Sequence, residues 1–179
     1  MLVPVVAVLS AAFAVNTIPG TGAYVVGKDV PAGIYRSTGN TSCYWERARN
    51  ASGTTASIIS NDIGAGQRLA QIRATDKIFR TRNCRTWVRV LSPALRVKSR
   101  KTTIPGDGAY FAGSDFRPGT YRSTGNTGHC YWERARNADG TSSGIIANGL
   151  SQGQLVVTVD ATDFVFRTSG CKTWTRLAG

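Results

Sequence analysis

Four cysteines carry the clearest chemistry in this sequence. Cys43 and Cys84 lie 41 residues apart, and Cys130 and Cys171 repeat that spacing. Two thiols held together outside the cytoplasm oxidise to a disulfide, so the simplest pairing is Cys43 with Cys84 and Cys130 with Cys171. The alternative is four buried free thiols in a cytosolic chain. A metal centre is not expected: there is no C-x-x-C, and the single histidine, His129, could not complete two zinc sites. Closing loops of this length would stabilise each by about 4 kcal/mol in the chain-entropy model.

Acid–base chemistry has little material to work with. The chain has ten carboxylates, and His129 falls in a short insertion. A glycosidase-like pair could be assembled from Glu133 and Asp163 in principle, since that reaction needs only two acids. However, no base sits beside a nucleophile, and no glycine-rich phosphate loop is present. The expectation is a non-enzymatic protein without catalytic residues or cofactor. Glu46 and Glu133, each followed by Arg, suit cross-strand ion pairs. Asp76 and Asp163, each after Ala-Thr, suit turn-capping.

Charge suggests binding instead. The chain carries 22 Lys and Arg against 10 Asp and Glu, a net +12. The excess is uneven. Residues 16–90 hold eleven basic and four acidic groups (+7), 91–101 hold four basic groups (+4), and 102–179 hold seven against six (+1). Candidate polyanion-binding residues are Arg68, Arg73 and Lys77 in the first region and Arg96, Lys98, Arg100 and Lys101 in the second. Such a field attracts phosphate-bearing wall polymers, membrane headgroups or nucleic acid, although it also serves solubility alone. Nucleic acid is the weakest of these, because no recognition helix, zinc finger or single-strand signature is present. Trp87 and Trp174 could offer stacking platforms for sugar rings or could anchor the core. Trp45 and Trp132, two residues after a cysteine, share a strand face with the sulfur.

These groups are positioned by a duplication. Shifting the chain by 86 residues aligns Thr17-Ile18-Pro19-Gly20 with Thr103-Ile104-Pro105-Gly106, and Tyr35 through Thr41 with Tyr121 through Thr127. One inserted residue near Gly128 and His129 moves the shift to 87. Cys43-Tyr44-Trp45-Glu46-Arg47-Ala48-Arg49-Asn50 then aligns with Cys130 through Asn137. The organisation is therefore an apolar segment at 1–15, repeat 1 at 16–90, a basic linker at 91–101 and repeat 2 at 102–179.

Within each repeat the pattern is that of strands. In Leu155-Val156-Val157-Thr158-Val159-Asp160, the first, third and fifth residues can face inward and the others outward, and Arg68 through Arg73 is its weaker twin. Further strands are expected at Ala23–Val26, Gly33–Thr38, Cys43–Arg49, Ala56–Ser60, Lys77–Thr81 and Arg85–Val90. Asn50-Ala51-Ser52-Gly53 and Asn137-Ala138-Asp139-Gly140 read as turns. The fold class is all-β: two tandem small antiparallel β-sandwich or barrel domains, each with one disulfide.

The blocks Pro118-Gly119-Thr120-Tyr121-Arg122-Ser123, Cys130-Tyr131-Trp132-Glu133-Arg134, Ile145-Ile146-Ala147-Asn148, Asp163 and Cys171-x-x-Trp174 resemble a repeat module of secreted and envelope proteins of actinobacteria. Both copies carry the pattern. Copy one departs from it at Ile59-Ser60-Asn61, and has Arg82-Asn83 where copy two has Ser169-Gly170. The resemblance implies an extracytoplasmic appendage without an assigned reaction.

Two readings of Met1–Val15 stand side by side. It resembles a secretory signal ending in Ala12-Phe13-Ala14, without the basic start. Its part Val6–Val15 also resembles Val88–Val97, and on that reading the segment is a strand or assembly arm preceding repeat 1. It is too short to span a bilayer comfortably. The corresponding functions are an extracellular or cell-envelope module contacting anionic or glycan surface polymers, or a virion component, such as a capsid decoration or tail protein, contacting neighbouring subunits.

Overall fold

The computed structural model describes residues 16–95 and 98–178. Met1–Val15, on which the signal and arm readings fall, and Arg96 lie outside the described residues.

Each repeat contributes six strands. Repeat 1 holds β1 (Thr17–Ile18), β2 (Gly22–Val25), β3 (Gly33–Ala48), β4 (Ile58–Ile72), β5 (Ile78–Arg82) and β6 (Trp87–Arg89). A four-residue helix, α1 (Ser92–Leu95), follows. Repeat 2 holds β7 (Thr103–Ile104), β8 (Gly108–Phe111), β9 (Gly119–Ala135), β10 (Ile145–Val159), β11 (Val165–Ser169) and β12 (Trp174–Arg176).

The long ladder of β3 against β4 organises repeat 1. It runs from Gly33 opposite Ile72 to Ala48 opposite Ile58, with register breaks around Asn40. β5 pairs with its Tyr44–Ala48 half and β6 with Tyr35–Arg36. β2 then extends β5, and β1 extends β6. Both halves feed one core of Ile18, Tyr35, Cys43, Trp45, Ala70, Ile72, Phe79 and Trp87. Repeat 2 repeats the plan through β9 and β10.

The sequence suggests two separate strands at Gly33–Thr38 and Cys43–Arg49. In the structure they form one strand, with a bulge at Gly39-Asn40 between them. Gly39 adopts φ 71°, which suits glycine, and the ladder bends without ending. Asn40 stitches the bend: its amide donates to the Gly66 carbonyl (2.9 Å), and its oxygen accepts from the Arg85 amide (2.7 Å) and the Ser37 hydroxyl (3.1 Å). Asn126 repeats these bonds with Gly153, Lys172 and Ser123. The repeated Pro-Gly has a steric cause: a Cβ at Gly20 or Gly106 would stand 1.8 Å from the carbonyl oxygen of Cys84 or Cys171.

Both expected disulfides, Cys43–Cys84 and Cys130–Cys171, are present, and no cysteine is free. In β10, Leu155, Val157 and Val159 point inward while Val156 is 52% exposed, as alternation predicts. β4 differs. Ala70 and Ile72 are buried within the repeat, but Leu69 on the opposite face is also fully buried.

The reason is that repeat 2 covers it. Leu69 joins Ala109, Phe111, Ala135, Ala138 and Val165 in a third apolar cluster between the repeats. Gln67 pairs with Gly108 across a parallel bridge, and its side chain donates to the Ala109 carbonyl (2.8 Å) and to Asp115 (2.8 Å). Arg36 ion-pairs with Asp115 (2.8 Å), its guanidinium 5.1 Å above the Phe111 ring. The Gln71 amide bonds the Ala138 carbonyl (3.0 Å). One face of repeat 1 thus meets a different face of repeat 2, in head-to-tail fashion.

Candidate functional site

The carboxylates best placed for chemistry are already engaged. Glu46 stands opposite Arg80 on adjacent strands, and Glu133 opposite Arg167, and each pair is ion-paired. Tyr44 donates to Glu46 (2.5 Å) and Tyr131 to Glu133 (2.8 Å). Burial pushes both phenols above their ordinary range, and the neighbouring carboxylate adds to the effect. Asp76 caps its turn by accepting from the Arg73 amide (2.7 Å), and also takes a bidentate ion pair from Arg47 (2.7 and 2.9 Å). Asp163 does the same for the Asp160 amide and Arg134. The Glu133 and Asp163 carboxyls of the glycosidase-like pair are each held by a guanidinium. Among the described residues, no cluster of three or more His, Cys, Asp or Glu could hold a metal ion.

Neither Trp87 nor Trp174 offers a stacking platform. Trp87 and Trp174 are fully buried, and their indole N–H groups donate to Thr81 and Thr168 at 2.9 Å. Both therefore anchor the core. Trp45 shares its cluster with Cys43, and Trp132 packs on the cluster containing Cys130.

The predicted basic residues separate into two groups. Arg68 is corrected from surface cation to buried residue: it is 2% exposed, ion-pairs with Asp62 and donates to the Ala65 carbonyl. Strand parity explains this, since Arg68 lies on the same inward face as Ala70 and Ile72. Its partner in the duplication, Leu155, is a core residue, and that was the available signal. Arg73 is likewise engaged, bound to Asp139 of the other repeat. Lys77 is exposed and does not line the cleft formed at the linker.

Lys98, Arg100 and Lys101 are exposed and held together. The Ser99 amide donates to the Gly113 carbonyl (2.7 Å), and the Arg117 amide to the Lys101 carbonyl (2.9 Å). The Ser99 hydroxyl donates to the Asp115 carbonyl (3.1 Å). These bonds strap the linker to the β8–β9 loop and bring in Arg117, which sequence reasoning missed because sixteen positions separate it from Lys101. The resulting cleft, of about 560 Å³, is lined by Lys98, Ser99, Arg100, Gly113, Arg117, Pro118 and Ala161. It has no acidic wall. Within the described residues, none of Lys98, Arg100, Lys101 and Arg117 has a carboxylate within ion-pair distance.

A second cleft, of about 450 Å³, opens on repeat 1 between Thr21–Ala23, Tyr44, Glu46, Gly53 and Arg80–Arg82. Its counterpart on repeat 2 is largely filled by repeat 1, which leaves a pocket of about 210 Å³ between Trp45, Asn61 and Asp62 on one side and Tyr131, Glu133, Gly140 and Arg167 on the other.

Comparison with known proteins adds a location. A family model described as the Rv1352-like extracellular domain matches residues 16–88 and, separately, 102–175. Curated relatives include the uncharacterized proteins Rv1352 of Mycobacterium tuberculosis (strain ATCC 25618 / H37Rv) and Mb1387 of Mycobacterium bovis (strain ATCC BAA-935 / AF2122/97). Each is 28% identical over 101 residues, covering 49% of this chain and 81% of the relative. No solved structure shows a significant match. No helix among the described residues is long and apolar enough to cross a membrane.

Proposed function

The chain belongs to the Rv1352-like extracellular domain family, which it carries twice in tandem, and from that premise we propose that it is a non-enzymatic binding module for phosphate-bearing surface polymers, gripped at the strapped linker. The observation that carries this reading is the cleft of Lys98, Arg100 and Arg117; Lys101, next to Arg100 in the chain, lines a separate pocket with Arg36 and Asp115. The cations lie on backbone that two main-chain hydrogen bonds fix to repeat 2. The backbone that carries them is therefore fixed before any ligand arrives, which lowers the entropy cost of binding. Burial of Trp87 and Trp174 favours an anion-reading site over stacking on sugar rings. The saturation of Glu46, Glu133, Asp76 and Asp163 by arginines supports the non-enzymatic part.

Long-chain inorganic polyphosphate is a suitable probe. With three cations engaged, log affinity should fall with log salt at a slope of about −2, so a fourfold rise in NaCl weakens binding by roughly 20-fold. Charge reversal at Lys98, Arg100 and Arg117 together should cost at least about tenfold in affinity. The same reversal at the exposed Lys28, Arg49 and Arg85 matches the net charge change and should cost much less. A flat salt response, or equal losses in the two triple variants, refutes the assignment.

A further inference from the structure

The interface between the repeats joins two different faces, and the duplication places a second copy of each face at the ends of the molecule. The delivering face of repeat 1 is the outer side of β4, with Arg36, Gln67 and Leu69. The receiving face of repeat 2 is Ala109, Phe111, Ala138 and Asp115. In repeat 2 the delivering positions are Arg122, Gln154 and Val156, all exposed. In repeat 1 the receiving positions are Ala23, Val25, Ala51 and Asp29, also exposed.

The contrast in burial is direct: Leu69 is 0% exposed against 52% for Val156, and Phe111 1% against 42% for Val25. The sheet edge agrees. β8 is flanked by β11 and by Gln67 of β4, whereas β2, its counterpart, pairs among the described residues only with β5. The ion pair agrees as well. Arg36 and Asp115 bind each other across the repeats, while Arg122 and Asp29, their counterparts, have no ion pair among the described residues. Asp29 is nonetheless set up like Asp115: each accepts the amide of the residue four positions earlier, Val25 at 2.8 Å and Phe111 at 2.9 Å.

We propose that a second copy of this chain docks head to tail, the outer face of β10 in one molecule seating on the β2 face of the next, with Arg122 paired to Asp29, Gln154 reaching the β2 edge at Ala23, and Val156 covering Val25. Among the residues that differ from the internal interface, Lys77 replaces Phe164 and Ser52 replaces Asp139 on the receiving side, and Asp160 replaces Arg73 on the delivering side, so no like charges are set against each other but the Arg73–Asp139 ion pair has no counterpart. Losing the Phe111–Phe164 pair, which packs edge-on at 5.3 Å, makes this contact weaker than the internal one. It therefore forms only as concentration rises. Because the two faces differ, the contact is heterologous and builds chains or rings, unlike a twofold dimer.

Sedimentation velocity on the full chain tests this. The wild type should show mass rising with concentration, and Val156→Arg and Ala23→Arg should each stay monomeric. Both positions are exposed, so both variants should keep the wild-type melting temperature. An equimolar mixture of the two variants should form a species of twice the monomer mass and nothing larger, because only one delivering and one receiving face remain intact. A wild type that stays monomeric up to about 1 mM overturns the proposal. So does assembly that survives in either single variant, or a mixture that fails to dimerise.

Discussion

The duplication allows one buried ion pair to be measured in two environments within the same chain. Asp76→Asn and Asp163→Asn remove the same charge from equivalent positions. In repeat 1 the side chains of Arg47 and Asp76 are each 1% exposed, so the substitution strands a guanidinium shielded from bulk solvent and, among the described residues, without a second carboxylate. Removing one partner of such a pair costs about 3–5 kcal/mol, most of it the penalty of the uncompensated charge. In repeat 2, Arg134 is 17% exposed and also pairs with Asp160, itself 53% exposed. Its charge keeps a carboxylate and water, and the loss reduces to that of a charged hydrogen bond, about 1.5–3 kcal/mol. For a chain of this size each kcal/mol lowers Tm by about 2–4 °C, so Asp76→Asn should lose roughly 6–20 °C and Asp163→Asn roughly 3–12 °C. The Arg47 guanidinium also donates to the Asp139 carbonyl of the other repeat at 2.6 Å, so its disturbance reaches the interface. Scanning calorimetry, with urea titration for the free energies, measures both. Should Asp163→Asn prove equal to or worse than Asp76→Asn, or should Asp76→Asn cost less than about 1 kcal/mol, the reasoning from burial fails.

The interface also has an acid limit. Burial alone would raise the Asp139 carboxyl, but hydrogen bonds from the Thr141 amide and hydroxyl and the Arg73 guanidinium outweigh it and hold the group below the usual carboxylate range. The stability it contributes is therefore complete above the unfolded value, near 4, and is lost as pH falls through the lower folded value. Urea midpoints between about pH 2 and 5 should fall more gently in Asp139→Asn than in the wild type; identical slopes would remove Asp139 from the account. For the disulfides, replacing Cys43 and Cys84 by Ala should lower stability by about 4 kcal/mol, read by chemical denaturation, with a similar loss for Cys130 and Cys171. A change under 1 kcal/mol would show that chain entropy is not what they supply.

The sequence by itself determined the repeat, the cysteine pairing and the all-β class, because each rests on local pattern or on identical spacing. It also placed Glu46 and Asp76 in their roles, since pleat parity and turn chemistry depend on near neighbours. Reading Arg68 as a surface cation was an error that parity could have prevented, as Leu155 in the other copy marks an inward position. The separation of Gly33–Thr38 from Cys43–Arg49 is a bulge, and only the partner strand shows that the ladder continues through it. What only the tertiary structure decided was how the repeats meet. Leu69 and Val156 occupy equivalent outward positions and are indistinguishable by pattern, yet one is fully buried and the other half exposed. The strapping of Lys98 and Arg100 beside Arg117 was equally invisible, because it depends on main-chain hydrogen bonds between segments that no periodicity relates. Pattern reports which face of a strand turns inward. Only packing decides which of two equivalent outward faces finds a partner.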